Sequence, residues 1–301
     1  MLTNRRFVGL DDYYAVSDFL ETLFQPGNRD GNWIRPIWSY MHSHPMLDWG
    51  MLGRIRLWED EGRLVAVAHH ESVLGEAFFD VHPDYDRLKP EMLDYACADL
   101  ARVEPDGQRA LTAYISEFDT AFAQHAAARG FQRNPNADRT MMMLETPEGF
   151  APDLKIRDGF RITSLAEEND LVKMDRVLWR GFNHPGEPPV MGVRDRRQMQ
   201  SSPYFRHDLT LAAVAPNGDF VSFCGMWYEP SNRIALVEPV ATDPDYRRLG
   251  LGRAVVLEGV RRCAALGARV AFVGSVQEFY RSLGFNPVMA QQAWTWAKAA
   301  D

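Results

Sequence analysis

The residues best suited to chemistry fall in one short run, Arg247-Arg248-Leu249-Gly250-Leu251-Gly252-Arg253. Behind it, Val256, Val260, Cys263 and Ala264 recur at helical spacing, which predicts an amphipathic helix from Leu251 to Leu266 ended by Gly267. Backbone N–H groups at a helix start lack intrahelical acceptors, and the helix dipole adds positive potential, so such a turn favours an anion such as phosphate. Glycine at 250 and 252 removes Cβ atoms and lets the backbone approach the anion closely, while Arg247, Arg248 and Arg253 add charge-assisted donors. The spacing matches neither the Walker loop nor the dinucleotide G-x-G-x-x-G pattern. Taken alone, the run is equally compatible with a plain helix start.

The elements that must position this turn occur twice. Pro26-Gly27 recurs as Pro185-Gly186, Ser43-His44-Pro45 as Ser201-Ser202-Pro203, and the turn Glu61-Gly62 as Asn217-Gly218. His82-Pro83-Asp84-Tyr85 recurs as Asp243-Pro244-Asp245-Tyr246, and Gly130-Phe131 as Gly284-Phe285, with the order kept and offsets between 154 and 161. Two copies of one α/β unit follow. The stretch Thr146 to Gly159, with two prolines and two glycines, sets the boundary: a first domain over 1–148, a linker at 149–159 and a second domain over 160–301. Thr140 to Glu145 then reads as the last strand of the first unit.

In the second unit, Phe160 to Leu165 reads as a strand, Glu167 to Phe182 as a helix and Asn183 to Val193 as a loop. Leu209 to Val214 and Phe220 to Trp227 flank Pro216-Asn217-Gly218-Asp219 as a hairpin, followed by a long strand, Ile234 to Thr242. Beyond the turn and its helix come a strand at Arg269 to Val273, a short helix at Glu278 to Leu283 and a final strand at Ala293 to Ala297. The fold class is α/β (α+β): two tandem domains, each a mixed, mostly antiparallel sheet flanked by helices.

The run Val237 to Gly259, followed by Glu278 to Phe285, resembles the GNAT superfamily of acyl-CoA-dependent N-acyltransferases. There an R/Q-x-x-G-x-G/A turn holds the coenzyme A pyrophosphate, matched here by Arg247, Gly250 and Gly252; F-Y-x-x-x-G-F is matched by Phe279, Tyr280, Gly284 and Phe285. The resemblance implies acetyl-CoA as co-substrate, with Val240, Ala241 and Thr242 holding pantetheine and Arg247 to Arg253 holding pyrophosphate. Pro239 cannot donate to a ladder, which favours a bulge or a strand edge there. Tyr280 takes the family's general-acid position, where a phenol can protonate the departing thiolate. Glu238 is the candidate base, although the family's usual acidic position lies two residues earlier, at Leu236; a structural carboxylate or a substrate anchor competes. An acceptor pocket is expected between the Phe182 to Gly192 loop, with Glu187, and Trp227, Tyr228 and Glu229, whose acidic and aromatic character suits a cationic amine.

The first unit repeats the elements with the chemistry removed: Asp86 stands for Arg247, Lys89 for Gly250, Glu91 for Gly252 and Ala126 for Tyr280. It reads as a degenerate copy that binds no cofactor. Trp33, Trp38 and Trp49 read as core, with closure over the acceptor as the alternative.

Composition narrows the classes. A chain of 301 residues with formal net charge −8 suits two domains and lacks the basic excess of a nucleic-acid binder. No apolar stretch reaches membrane-span length and the first residues carry no leader pattern, so a cytoplasmic location is expected. Cys97, Cys224 and Cys263 form no paired motif and read as small core residues; His42, His44, His69 and His70 lack helical zinc spacing, and no metal is expected. The expectation is an N-acetyltransferase acting on a primary amine of a small molecule, as monomer or homodimer. A protein or peptide N-acetyltransferase and a non-catalytic acyl-CoA sensor or scaffold are the rivals, and a tRNA-dependent transferase is disfavoured by the intact turn.

Overall fold

The computed structural model describes residues 1–299. The chain divides into two compact units, one comprising Met1–Met41, Met46–Met141 and the chain from Pro287 on, the other His42–Pro45 and Met142–Asn286.

In the second unit the sheet order is Arg161–Ser164, Leu211–Val214, Phe220–Glu229, Ile234–Thr242, Val270–Val273 and the end of Arg139–Glu145. All neighbours are antiparallel except Ile234–Thr242 with Val270–Val273. The expected hairpin forms because Gly218 takes φ 88° and the Asn217 side chain accepts from the Asp219 amide at 3.2 Å. The Leu251–Ala265 helix lays Val256, Val260 and Cys263 into a fully buried core with Met226, Val237 and Ala271. Ahead of it, helix Leu171–Gly181 begins four residues later than the pattern predicts. Asp170 caps it, accepting from the Val172 and Lys173 amides, while Glu167 turns back to the Ser164 amide. A further helix, Gly192–Met199, starts at the last two residues of the expected loop and continues where no element was expected, tied to the first by Arg196 Nε donating to buried Asp175 at 3.0 Å.

The first unit repeats this order: Leu2–Arg6, Arg56–Asp60, Arg63–His69, Glu76–Val81, Arg109–Ser116 and the last strand, Asn286–Lys298. Its one parallel pair in this order is Glu76–Val81 with Arg109–Ser116, the counterpart of the pair in the second unit.

Four expectations are corrected. Met142 to Glu145 do not close the first sheet; they pair with Val270–Val273, and Met142 is fully buried in the second core. The final strand instead pairs with Arg109–Ser116, and Trp294 and Trp296 pack against the first core. Alternating side chains satisfy either sheet edge, so pattern alone cannot choose between them. Residues 149–159 are not a bare linker, because Phe150, Leu154 and Ile156 pack on the second core. Trp33 and Trp38 are core at 4% and 0% exposure, whereas Trp49 is 56% exposed.

The cysteines are free, with Cys224 and Cys263 buried; burial pushes the Cys263 thiol up to about 12, so it behaves as a small apolar residue.

Candidate active site

Two departures from regular pairing open the second unit. Ile234, Ala235 and Leu236 pair in parallel with Val270, Ala271 and Phe272, and there the register ends. The longer strand runs on to Thr242 while its neighbour stops at Val273, so the two part and leave the backbone of residues 237–242 along one wall of a gap. On the other edge the register with Phe220–Glu229 shifts between Cys224 and Met226, opposite Glu238 and Pro239. This is the bulge that Pro239 favours. Gly225 makes it possible, since a Cβ there would lie 2.4 Å from the Glu238 carbonyl oxygen. The Trp227 indole N–H donates to that same oxygen at 2.9 Å.

At the end of the strand the chain enters the glycine turn. Asp243, 1% exposed, accepts two hydrogen bonds from Arg180, at 2.5 and 3.0 Å, and a third from the Asp245 amide at 3.0 Å. Burial alone would raise this carboxyl, yet the Arg180 bonds and charge hold it below the usual range. Arg247 donates to the Thr242 and Gly181 carbonyls and to Asn183 Oδ1, at 3.2, 2.9 and 2.8 Å. Arg248 and Gly250 both take left-handed backbone, φ 64° and 78°, and Gly250 caps the helix. The first intrahelical bond runs from the Ala254 amide to the Gly250 carbonyl, which leaves the amides of Leu251, Gly252 and Arg253 without helical acceptors.

The structure therefore divides the expected anion ligands. Leu249 and Leu251 bury their side chains in or against the core and offer only backbone. Arg247 is exposed but spends its donors bracing the turn, Arg253 reaches the Ser282 carbonyl at 3.4 Å, and exposed Arg248 makes no ion pair among the described residues. A Cβ on Gly252 would meet Thr242 Oγ1 at 3.2 Å and the Phe279 ring at 3.4 Å, so the helix start, strand end and Phe279 are brought together. Ala241 and Thr242 are held from behind by Ser222 Oγ, 3.2 Å from the Ala241 carbonyl and 2.8 Å from Thr242 Oγ1.

Tyr280, 7% exposed in the short helix Glu278–Ser282, stacks edge-on with Phe279 and Phe285. Its hydroxyl bonds to no protein group among the described residues. Burial foremost, and then the Glu238 charge, push the phenol well above its ordinary value, so it stays protonated and able to donate. Half-buried Glu238 is thus within electrostatic reach of Tyr280.

The expected acceptor residues scatter. Tyr228 donates to the Leu266 carbonyl at 2.8 Å, at the far end of the helix from the glycine turn, and buried Glu229 accepts from the Asn232 amide to cap the hairpin. Alternation along the strand turns Tyr228 toward the helix, and the hairpin turn engages Glu229. Trp227 stays at the site through Glu238, with Phe205 against it at 5.9 Å. Glu187 is exposed in a loop pinned by Trp179 Nε1 donating to the Gly186 carbonyl at 3.1 Å.

Sequence reasoning missed Arg180, Gly181, Ser222 and Gly225. A glycine inside a strand is a signal for a bulge and could have marked Gly225. Arg180 has no local signal, since its partner lies far along the chain.

In the first unit the turn is different. Lys89 has ordinary helical backbone and its ammonium bonds Asp86 at 2.9 Å and Asp119 at 2.5 Å. Glu91 accepts from the Trp58 indole at 2.8 Å. No left-handed residue opens the turn there.

Among the described residues no cluster of three or more His, Cys, Asp or Glu side chains could hold a metal, and no helix is long and apolar enough to cross a membrane.

The acetyltransferase (GNAT) family matches residues 172–285. Among curated proteins, none matches the sequence. Among solved structures, a tandem GNAT protein from the clavulanic acid biosynthesis pathway is 17% identical, covers 100% of each chain and has TM-score 0.67. A GCN5-related N-acetyltransferase from Sphaerobacter thermophilus is 16% identical, covering 100% of this chain and 97% of its own, with TM-score 0.64. The Saccharomyces cerevisiae N-myristoyltransferase is 12% identical over 99% of this chain and 80% of its own, with TM-score 0.57. At these identities the likeness is one of fold, that of two tandem GNAT-like folds, and the match to the acetyltransferase (GNAT) family lies within the second unit.

Proposed function

We propose that the second unit transfers an acetyl group from acetyl-CoA to a primary amine of a small molecule by direct attack. The observation that carries this is the parting of the strands beyond Leu236 and Phe272, directly ahead of a left-handed glycine turn with free amides. The backbone of Val240, Ala241 and Thr242 would hold the pantetheine arm, and the amides of 251–253 with Arg248 the pyrophosphate. The amine nitrogen bonds to the thioester carbon as the C–S bond breaks. Glu238 accepts the amine's proton, directly or through water, and the Tyr280 hydroxyl protonates the departing thiolate. The first unit, its turn closed by Lys89, Asp86 and Asp119, takes no cofactor.

Calorimetric titration of acetyl-CoA tests this on the wild type and on Gly252→Glu, which imitates the first unit. An acidic residue in a helix's first turn is compatible with folding, but it sets a negative charge at the anion site. One site per chain, abolished by the substitution, supports the proposal. Two sites, or none, refute it, and an unaltered affinity in the variant moves the site elsewhere. Turnover with small amines but not with peptides separates the proposal from the protein-acetylating rival.

A further inference from the structure

The two copies treat one segment in opposite ways. By the offset of Pro26-Gly27 to Pro185-Gly186, the segment Asn28–Trp33 corresponds to Glu187–Gly192. In the second unit residues 187–191 form a surface loop, with Val190 95% and Met191 57% exposed, and only Gly192, which starts a helix, is buried. In the first unit Asn28, Asn32 and Trp33 are buried, at 2%, 5% and 4%.

The buried segment lies in the gap between the parallel strands. Those strands pair only at Glu76–Thr112 and Ala77–Ala113 before parting, as in the second unit. On one wall the Asn32 carboxamide accepts from the Val81 amide at 2.9 Å and donates to the Val81 carbonyl at 3.3 Å. The Trp33 amide donates to fully buried Asp80 at 2.7 Å. On the other wall Ser116 Oγ donates to the Arg29 carbonyl at 2.7 Å. A Cβ on Gly31, with φ 78°, would lie 2.8 Å from that of Ser116, an approach open to glycine alone. Gln291 Nε2 donates to the Gly31 carbonyl at 2.8 Å, and Asp30 holds the carboxamide through Asn32 Nδ2 at 2.9 Å.

We propose that the first unit is filled by its own chain: Asn28–Trp33 occupies the groove between the parting strands, with the Asn32 carboxamide standing where the amide of a pantetheine arm would bond. The comparison with pantetheine rests on the function proposed for the second unit; the insertion itself does not. Two way bonding to one residue's N–H and C=O is what an extended ligand makes with a strand edge. The segment thereby satisfies a backbone edge that parting leaves exposed, which explains how the copy stays folded after losing its turn. It also blocks the groove independently of Asp86, Lys89 and Glu91.

Hydrogen exchange resolved to single amides in the full chain tests the insertion. Without ligand, the Val81 and Trp33 amides should exchange as slowly as strand interiors, and Asn32→Ala should speed Val81 at least about five-fold with residues 237–242 unchanged. Saturating acetyl-CoA should leave residues 31–33 and 78–82 of the wild type within two-fold of the ligand-free rates. Unprotected Val81 in the wild type, no acceleration in Asn32→Ala, or slowing at 78–82 by acetyl-CoA would each overturn the proposal. If Asn32→Ala does not fold, the wild-type measurements decide. Absence of any acetyl-CoA effect in residues 237–253 would count against the function proposed for the second unit and leave the ligand-free measurement to judge the insertion.

Discussion

Removing one oxygen atom separates chemistry from structure in the second unit. Tyr280→Phe deletes a hydroxyl that bonds to no protein group among the described residues, so no buried partner is stranded. Stability should change by no more than about 0.5 kcal/mol, which in a domain of this size moves the melting midpoint by roughly 2 °C at most. The ring's contacts with Phe279 and Phe285 are kept, so acetyl-CoA affinity should stay within two-fold. Turnover should fall, because general-acid assistance contributes about 100- to 10,000-fold, or roughly 3–5 kcal/mol of barrier. Initial rates of thiol release with an amine acceptor, set beside calorimetric affinities, measure both. Because burial and the Glu238 charge raise the phenol, the wild-type rate should show no alkaline decline below about pH 10 that is traceable to Tyr280. A variant turning over at the wild-type rate, or one losing acetyl-CoA with its rate, would refute the assigned role.

Three further outcomes follow from single contacts. Gly225→Ala forces a Cβ to within 2.4 Å of the Glu238 carbonyl, so the bulge must shift; the cost should be about 1–3 kcal/mol, and turnover should fall further than stability explains. Arg180→Ala strips the buried Asp243 of its bidentate partner and should destabilise by about 2–3 kcal/mol at pH 7 in denaturant titration. Since Arg180 holds Asp243 below the usual carboxylate range, that difference should persist above pH 4 and shrink as the pH falls through the depressed value. Asp30 is the opposite case: burial raises it to about 6, so ionising it costs stability that is intact below about pH 4 and lost as the pH rises through 6. Asp30→Asn, which cannot ionise, should therefore flatten the fall in stability between pH 4 and pH 8 by about 1–2 kcal/mol, checked by melting at both values.

Much of the second unit was legible because its signals are local. The Arg247 to Arg253 turn, the helix behind it and the Pro216-Asn217-Gly218-Asp219 hairpin each follow from backbone demands within a few residues. The repeat was legible because both copies keep the same turns in the same order. The Gly192–Met199 helix was missed: its polar, arginine-rich face carries little apolar periodicity, and a buried Asp175–Arg196 pair fixes it instead.

The sequence by itself determined the local devices: glycines where the backbone turns left-handed, a proline where the ladder breaks, apolar stripes that choose helix or strand. Tertiary structure alone decided which sheet edge Met142–Glu145 and the last strand would join, that Tyr228 and Glu229 would serve the hairpin end, and that Arg180 would clamp Asp243. It also decided that Asn28–Trp33 would enter a groove while its counterpart stays at the surface. Turn and helix signals act over a few residues of chain, whereas these choices are made by hydrogen bonds and packing between groups far apart in sequence, whose partners exist only once the chain has folded.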